Sequence, residues 1–206
     1  MEENHVTFKS GELTLEGGLK NPGGGAPVAV VCHPHPQYGG SMYNNVVDAI
    51  LAALWQLGYA TLRFNFRGVG GSEGEYDGGP GEVDDAKAAM EFLLAQPGVT
   101  KAGAVMAGYS FGAMVAMSAG YESDEVARIV AVALPIAMAD ARVPAGAIKP
   151  VLLVSGDRDS YSPVDGLKAV AAKIGAAAKM ETIAGADHFF GGFEKKLAAV
   201  IVETLE

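Results

Sequence analysis

The sequence predicts an α/β protein with a mostly parallel, doubly wound sheet and an antiparallel hairpin at its N-terminus. Six short apolar runs have the length and β-branched composition of strands buried on both faces. Stretches of helical periodicity separate most of these runs, and such strand, loop and helix repeats favour right-handed crossovers between parallel strands. The chain has 206 residues and is 50% hydrophobic, which suits a single domain over residues 1–206 with a sizeable core.

The predicted elements follow one another along the chain. Leu13, Leu15 and Leu19 alternate with polar residues and predict the hairpin. The buried strands are predicted at 28–32, 60–64, 104–109, 129–134, 151–155 and 179–183. The helical periods comprise Val46, Ile50, Leu54 and Leu57, then Val83, Ala86, Met90 and Leu93, and finally Leu197, Ile201 and Leu205. Ser162 and Pro163 are expected to be the N-cap and first residue of a further helix.

The connection between Leu134 and Val151 has room for a turn or two of helix at most. We therefore expect no cap domain at this point of the chain.

The composition and charge of the chain exclude some classes of binding partner and favour one cellular compartment. The chain carries 15 basic and 24 acidic residues, a formal net charge of −9, which repels nucleic acid and anionic membrane surfaces. It has no apolar run long enough to span a bilayer, and its acidic N-terminus does not resemble a secretory signal. We expect a cytoplasmic protein without nucleic-acid or membrane partners. Cys32, the one cysteine, is predicted to be a buried core residue.

The most specific motif is Gly-Tyr-Ser-Phe-Gly at residues 108–112, which follows an apolar strand and precedes a helix of small residues. This is the context of a GxSxG nucleophile elbow, in which a strained turn exposes the serine and leaves no space for side chains two residues away. We therefore predict Ser110 as the nucleophile. The amide of Phe111, at the helix N-terminus, is predicted to donate to an oxyanion.

A serine nucleophile needs a histidine base that is oriented by a carboxylate, and in this type of site they follow the serine in the order acid, histidine. Asp159 follows the apolar strand at 151–155 and is the predicted acid, with Asp157 as the alternative. Asp157 directly follows Gly156, which suits backbone hydrogen bonds within the loop. His188 follows the last strand and is the predicted general base and acid.

The sequence His33-Pro34-His35-Pro36 follows the first parallel strand and has two interpretations. Two histidines could begin a metal site, but the chain offers few further imidazoles as ligands. The same position suits a second oxyanion donor. Since proline has no amide hydrogen, the candidates are the amides of His35, Gln37 and Tyr38. We favour the oxyanion loop, with His33 fixing it through hydrogen bonds and no metal bound.

Together, the blocks HPHPQYGGSMYNN, RFNFRGVGGSEG, GYSFG, GDRDSYSP and GADHFF resemble small, capless α/β-hydrolases of a bacterial family, similar in layout to dienelactone hydrolases. Dienelactone hydrolases use a cysteine nucleophile, whereas this elbow holds a serine. The resemblance implies an α/β-hydrolase fold and hydrolysis of carboxylic esters or thioesters through Ser110, Asp159 and His188. It implies no cofactor, and it leaves the physiological substrate open.

We expect a small acyl ester with a short chain as substrate, because a site without a lid is shallow and open. Substrate-pocket candidates are Tyr38, Tyr109, Tyr161 and Phe189, although aromatic residues of this kind more often serve core or rim packing. A binding protein that keeps the fold without catalysis is the alternative from another class. The oligomeric state is left open, with a homodimer among the alternatives.

Overall fold

The fold is built around one eight-stranded sheet. The computed structural model describes residues 2–139 and 148–206. The strands are β1 (Asn4–Ser10), β2 (Leu13–Lys20), β3 (Ala26–Cys32), β4 (Ala60–Phe64), β5 (Val99–Tyr109), β6 (Arg128–Val132), β7 (Val151–Gly156) and β8 (Ala178–Ile183). The helices are α1 (Asn45–Gln56), α2 (Pro80–Leu94), α3 (Phe111–Glu122), α4 (Ile136–Ala139), α5 (Val164–Ile174) and α6 (Glu194–Leu205), with a 3₁₀ turn at Pro36–Tyr38.

The strand order in the sheet is β1-β2-β4-β3-β5-β6-β7-β8. The six strands β4, β3, β5, β6, β7 and β8 pair in parallel with one another in this order. The hairpin β1–β2 adds two antiparallel strands at one edge. This is the predicted mostly parallel sheet with an N-terminal antiparallel hairpin.

Helices cover both faces of the sheet. On one face α2, α3 and α5 pack against the strands, and on the other face α1 and α6 do so. In β3, Val28, Val30 and Cys32 contribute to the first core, whereas Ala29 and Val31 contribute to the second. Because successive residues of a strand point to opposite faces, a strand buried on both sides must be apolar throughout. The doubly wound arrangement therefore explains the unbroken apolar runs.

Several strand boundaries differ from the sequence-based prediction, and the structure explains the start of β5 and the end of β6. β5 begins at Val99, five residues before the predicted start, because Val99 and Thr100 pair with Ala26 and Pro27 of β3 before an irregularity in the ladder. This first part of β5 contains the polar residues Thr100 and Lys101, which the apolar pattern did not include. β6 ends at Val132 because Ala133 adopts a φ of 50°, which is incompatible with an extended strand.

The start of α5 also differs from the prediction. Pro163 is the N-cap and the helix begins at Val164, so Ser162 lies one residue before the cap. The backbone amide of Ser162 instead donates to Asp159 Oδ1. The predicted short connection between Leu134 and Val151 includes α4, while residues 140–147 lie outside the described residues.

None of the helices within residues 2–139 and 148–206 combines the length and the apolar character needed to cross a membrane.

Candidate active site

Ser110 lies in the sharp turn between β5 and α3. Its backbone has φ 55° and ψ −120°, a strained conformation for a residue with a side chain. The amide of Ser110 donates to the carbonyl of Val132 in β6, which holds the turn at the carboxyl edge of the sheet. A hydrogen bond to the neighbouring strand therefore holds the strained turn in place, as expected for a nucleophile elbow.

The two glycines of the motif are required by close backbone contacts. A Cβ at Gly108 would lie 2.0 Å from the carbonyl oxygen of Gly112, and a Cβ at Gly112 would lie 2.3 Å from the carbonyl oxygen of Cys32. Both distances are far below a carbon–oxygen contact distance. Glycine at 108 therefore lets the strand and the helix meet closely within the turn, and glycine at 112 lets the turn approach the end of β3.

Ser110, His188 and Asp159 form a continuous hydrogen-bonded chain. The Oγ atom of Ser110 is 3.0 Å from His188 Nε2, and His188 Nδ1 is 2.8 Å from Asp159 Oδ2. A carboxylate can only accept, so Nδ1 carries the ring proton in the neutral imidazole and Nε2 presents its lone pair to the serine. The structure thus brings together the three residues that sequence reasoning selected from three separate loops.

The carboxylate of Asp159 is buried and its orientation is fixed by backbone donors. Oδ1 accepts hydrogen bonds from the amides of Tyr161, at 2.8 Å, and Ser162, at 2.9 Å, which leaves Oδ2 directed at His188. Asp157, the alternative acid, accepts instead from the amide of Gly185. This hydrogen bond joins the loop after β7 to the loop after β8 and does not involve the His188 imidazole.

The backbone amides predicted as oxyanion donors differ in whether they already donate a hydrogen bond within the protein. Phe111 is the first residue of α3, where backbone amides have no intrahelical partner. His35 precedes the 3₁₀ turn, and its imidazole packs against the Phe111 ring with centroids 4.9 Å apart. The amide of Gln37 already donates to His35 Nδ1, at 3.2 Å, and that of Tyr38 to the carbonyl of His35. The loop geometry therefore favours His35 over Gln37 as the second donor.

The two histidines of the HPHP sequence use their ring nitrogens in contacts within the protein. His33 Nδ1 is 2.6 Å from the carbonyl of Pro34, and its Nε2 accepts from the amide of Phe66. His35 Nε2 is 3.2 Å from the hydroxyl of Tyr76. Within the described ranges no group of three or more histidine, cysteine or acidic side chains could hold a metal ion. These contacts hold the loop that carries both histidines in place.

Burial favours the neutral form of both imidazoles. It lowers the pKa of His33 to about 4, although the hydrogen bond to Pro34 opposes this shift. Burial also lowers the pKa of His35, opposed by the charge of Glu82. A neutral His35 can accept the hydrogen bond from Gln37, whereas a protonated ring could not. The neutral state therefore stabilises the observed loop conformation.

Comparison with known proteins places the chain in a family. A family model for the X-Pro dipeptidyl-peptidases of the S15 family matches residues 15–182, from β2 into β8. The chain belongs to the S15 family.

Relatives of this S15 family member match most of its length, and those with solved structures share its fold. An uncharacterized protein of Rickettsia prowazekii is 36% identical over 194 residues, which are 90% of this chain and 81% of that protein. The structure of an α/β serine hydrolase homologue from Coxiella burnetii has 34% identity and a TM-score of 0.88, covering 100% of this chain and 99% of the other.

A Xanthomonas campestris α/β serine hydrolase without a lid has 29% identity and a TM-score of 0.83, covering 98% of this chain and 93% of the other. These likenesses confirm the capless α/β-hydrolase fold and the family resemblance noted in the sequence.

The aromatic pocket candidates of this S15 family member fall into two groups. Tyr161 and Phe189 flank the His188 imidazole, are 60% and 63% exposed, and can contact a ligand. Tyr38 is also exposed and packs against His35. Tyr109 is only 3% exposed, and its ring centroid lies 5.4 Å from that of the His188 imidazole. Its place in the substrate pocket stays a prediction.

Sequence reasoning missed the supporting roles of two tyrosines. The Tyr109 hydroxyl donates to the backbone carbonyl of His188 at 3.0 Å. Tyr76 contacts both His35 and Phe111 from the glycine-rich loop that precedes α2. Neither contact had a signal in the sequence, because each depends on loops that are distant along the chain.

Proposed function

We propose that the protein is a serine hydrolase that cleaves short-chain carboxylic esters through an acyl-enzyme intermediate. The observation that carries the proposal is the hydrogen-bonded chain from Ser110 through His188 to Asp159, since it joins a nucleophile, a base and an orienting carboxylate. The position of Ser110 at the start of α3 adds backbone donors where negative charge would develop.

The reaction begins when Ser110 Oγ attacks the ester carbonyl carbon while His188 Nε2 takes the hydroxyl proton. The carbonyl oxygen becomes an oxyanion that accepts hydrogen bonds from the amides of Phe111 and His35. As the tetrahedral intermediate collapses, the bond to the alcohol oxygen breaks and His188 gives its proton to that oxygen. Asp159 stabilises the imidazolium throughout by accepting from Nδ1.

Water completes the cycle on the same groups. His188 takes a proton from a water molecule, whose oxygen attacks the acyl carbon of the Ser110 ester. The second tetrahedral intermediate releases the carboxylic acid, and the proton returns from His188 to Ser110 Oγ. The carboxylic acid and the alcohol are the two products, and the enzyme is restored.

Two other acyl substrates suit the same three residues. A thioester presents the same carbonyl with a thiolate leaving group. A peptide bond after proline is the second alternative, since the matching family model carries the description X-Pro dipeptidyl-peptidase. We favour short esters because solved relatives of the chain include a serine hydrolase without a lid, and an open site encloses a long acyl chain poorly.

Hydrolysis of p-nitrophenyl acetate, butyrate and palmitate by the purified protein tests the proposal, with glycyl-prolyl-p-nitroanilide and acetyl-coenzyme A as amide and thioester substrates. We expect acetate and butyrate to react fastest, and Ser110→Ala to lower kcat by at least about 10³-fold because it removes the nucleophile.

EDTA serves as the control, and it should leave the rates unchanged. Ester hydrolysis that survives Ser110→Ala, or that EDTA abolishes, would move the chemistry to other groups. A faster rate on the prolyl amide would assign the protein as a peptidase on the same three residues. Folded protein without activity on any substrate would favour the non-catalytic alternative.

A further inference from the structure

We propose that the protein selects esters of aromatic or benzylic alcohols, and that Tyr161 and Phe189 bind the ring of the alcohol. We call these two side chains the alcohol subsite. The inference rests on the proposed esterase function and names the substrate class of the same site.

The reaction geometry determines which part of the ester meets the alcohol subsite. His188 Nε2 lies 3.0 Å from Ser110 Oγ, and the same nitrogen must protonate the departing alcohol oxygen. Proton transfer requires that oxygen to lie within about 3 Å of Nε2. The carbon atoms attached to it then lie beside the imidazole, whose flanking side chains are Tyr161 and Phe189. The acyl group extends from the carbonyl carbon in a different direction.

Two aromatic rings flank the imidazole. The ring centroid of Tyr161 is 4.8 Å and that of Phe189 is 5.6 Å from the imidazole centroid. Tyr161 comes from the loop that carries Asp159, and Phe189 from the loop that carries His188. The rings therefore belong to two separate segments that meet at the catalytic histidine.

Both rings are exposed in a protein that buries most of its large apolar side chains. Among the described residues, the exposed large hydrophobic side chains are Tyr38, Tyr43, Ile148, Tyr161 and Phe189. Two of these five therefore stand beside one imidazole. Exposed aromatic rings next to a reactive group indicate a binding surface for an apolar, flat ligand. A neighbouring ring would bury this surface and gain stacking or edge-to-face contacts.

Backbone hydrogen bonds fix the positions of both residues, so each ring can move only by rotation about its two side-chain torsions. The amide of Tyr161 donates to Asp159 Oδ1, and the amide of Phe189 donates to Asp187 Oδ1. Asn45 of α1 also donates to the carbonyl of Phe189. Because an aromatic side chain has only two such torsions, ordering it on binding costs little conformational entropy, which favours its use as an anchor.

The test compares benzyl acetate with cyclohexylmethyl acetate. Both release acetate and a primary alcohol of similar size, so the acyl-enzyme is shared. Because benzyl alcohol is the slightly better leaving group in every variant, the change in the ratio of kcat/KM between wild type and variant reports the alcohol subsite. We expect benzyl acetate to react about 3- to 10-fold faster in kcat/KM, the range that one or two ring pairs provide. Tyr161→Leu and Phe189→Leu keep apolar bulk without a ring, and each is expected to bring the ratio toward one.

Tyr43→Leu is the matched control. Tyr43 is equally exposed, but its ring lies over the Arg63 guanidinium, 4.9 Å from the guanidinium carbon, and does not flank His188. This variant is expected to keep the wild-type ratio. Thermal unfolding of all three variants verifies that they are folded.

The outcomes separate the two proposals. Equal kcat/KM for the two esters, or a benzyl preference that both leucine variants retain, would overturn the alcohol subsite while leaving the esterase in place. Cleavage of neither ester by a protein that still hydrolyses p-nitrophenyl acetate through Ser110 would also overturn the alcohol subsite, whereas no Ser110-dependent hydrolysis of p-nitrophenyl acetate either would refute the esterase function itself.

Discussion

At the scale of single residues, the arrangement of Asp159 explains why a carboxylate is needed beside His188. Oδ1 accepts two backbone hydrogen bonds, from Tyr161 and Ser162. An asparagine here would keep its oxygen toward those amides and turn its NH₂ group to His188 Nδ1. The imidazole would then have to place its proton on Nε2, and that tautomer cannot take a proton from Ser110.

We therefore predict that Asp159→Asn lowers kcat on p-nitrophenyl acetate by on the order of 10³- to 10⁴-fold, with a small change in KM. Asp157→Asn is the matched control, two residues away. Within the described residues its Oδ1 accepts from the amide of Gly185, which an amide oxygen can also do, so kcat should stay within about 3-fold of the wild type. Equal losses in the two variants would show that Asp159 is not the acid of the triad.

At the scale of secondary-structure elements, Tyr109 joins the end of β5 to the loop after β8. Its hydroxyl donates to the His188 carbonyl, and its ring lies 5.4 Å from the imidazole. Burial raises the pKa of the Tyr109 phenol, and the charges of Asp159 and Asp187 add to the shift, so the donor proton is retained at neutral pH. Tyr109 is thus a positioning residue for His188.

Removal of this hydroxyl in Tyr109→Phe is expected to lower kcat about 3- to 10-fold with little change in KM, the effect of one net hydrogen bond on the placement of the base. Tyr121→Phe is the control, since the Tyr121 hydroxyl is buried without a hydrogen-bond partner in the described part of the chain. Steady-state kinetics of both variants provide the measurement. Unchanged kcat in Tyr109→Phe would contradict the positioning role.

The elements also show what the sequence could predict. Apolar runs and helical periods located the strands of the parallel sheet and the main helices, because burial on both faces imposes a continuous apolar pattern. The early start of β5 at Val99 could not be predicted, since Thr100 and Lys101 are polar and only pairing with β3 makes this part a strand. The residues that position the site, such as Tyr109 and Tyr76, were missed for a related reason.

At the scale of the whole molecule, the order of the strands determines where the site lies. Ser110, Asp159 and His188 follow β5, β7 and β8, and these strands end at the same edge of one parallel sheet. The sequence predicted that edge, because ligand sites of open α/β sheets lie at the carboxyl ends of the strands. It did not predict that β4 lies between β2 and β3, since that order depends on which edges are free to pair.

The buried His33 connects the stability of the whole molecule to pH. Its ring bridges the carbonyl of Pro34 and the amide of Phe66, and thus joins the end of β3 to the segment after β4. Burial lowers its pKa in the folded protein from 6.5 to about 4. Between these values the unfolded chain binds a proton that the folded protein does not, so the free energy of unfolding must fall as the pH falls.

We predict that this imidazole contributes a loss of stability of on the order of 3 kcal/mol as the pH falls from 6.5 to 4, because each pKa unit corresponds to about 1.4 kcal/mol. Urea unfolding at several pH values in this window measures the slope for the wild type and for His33→Gln, which has no titrating group at this position. The variant will be less stable at pH 7, since it loses the ring contacts, but its stability should depend less on pH. An identical slope in the two proteins would mean that His33 takes up a proton in the folded state without disturbing the fold.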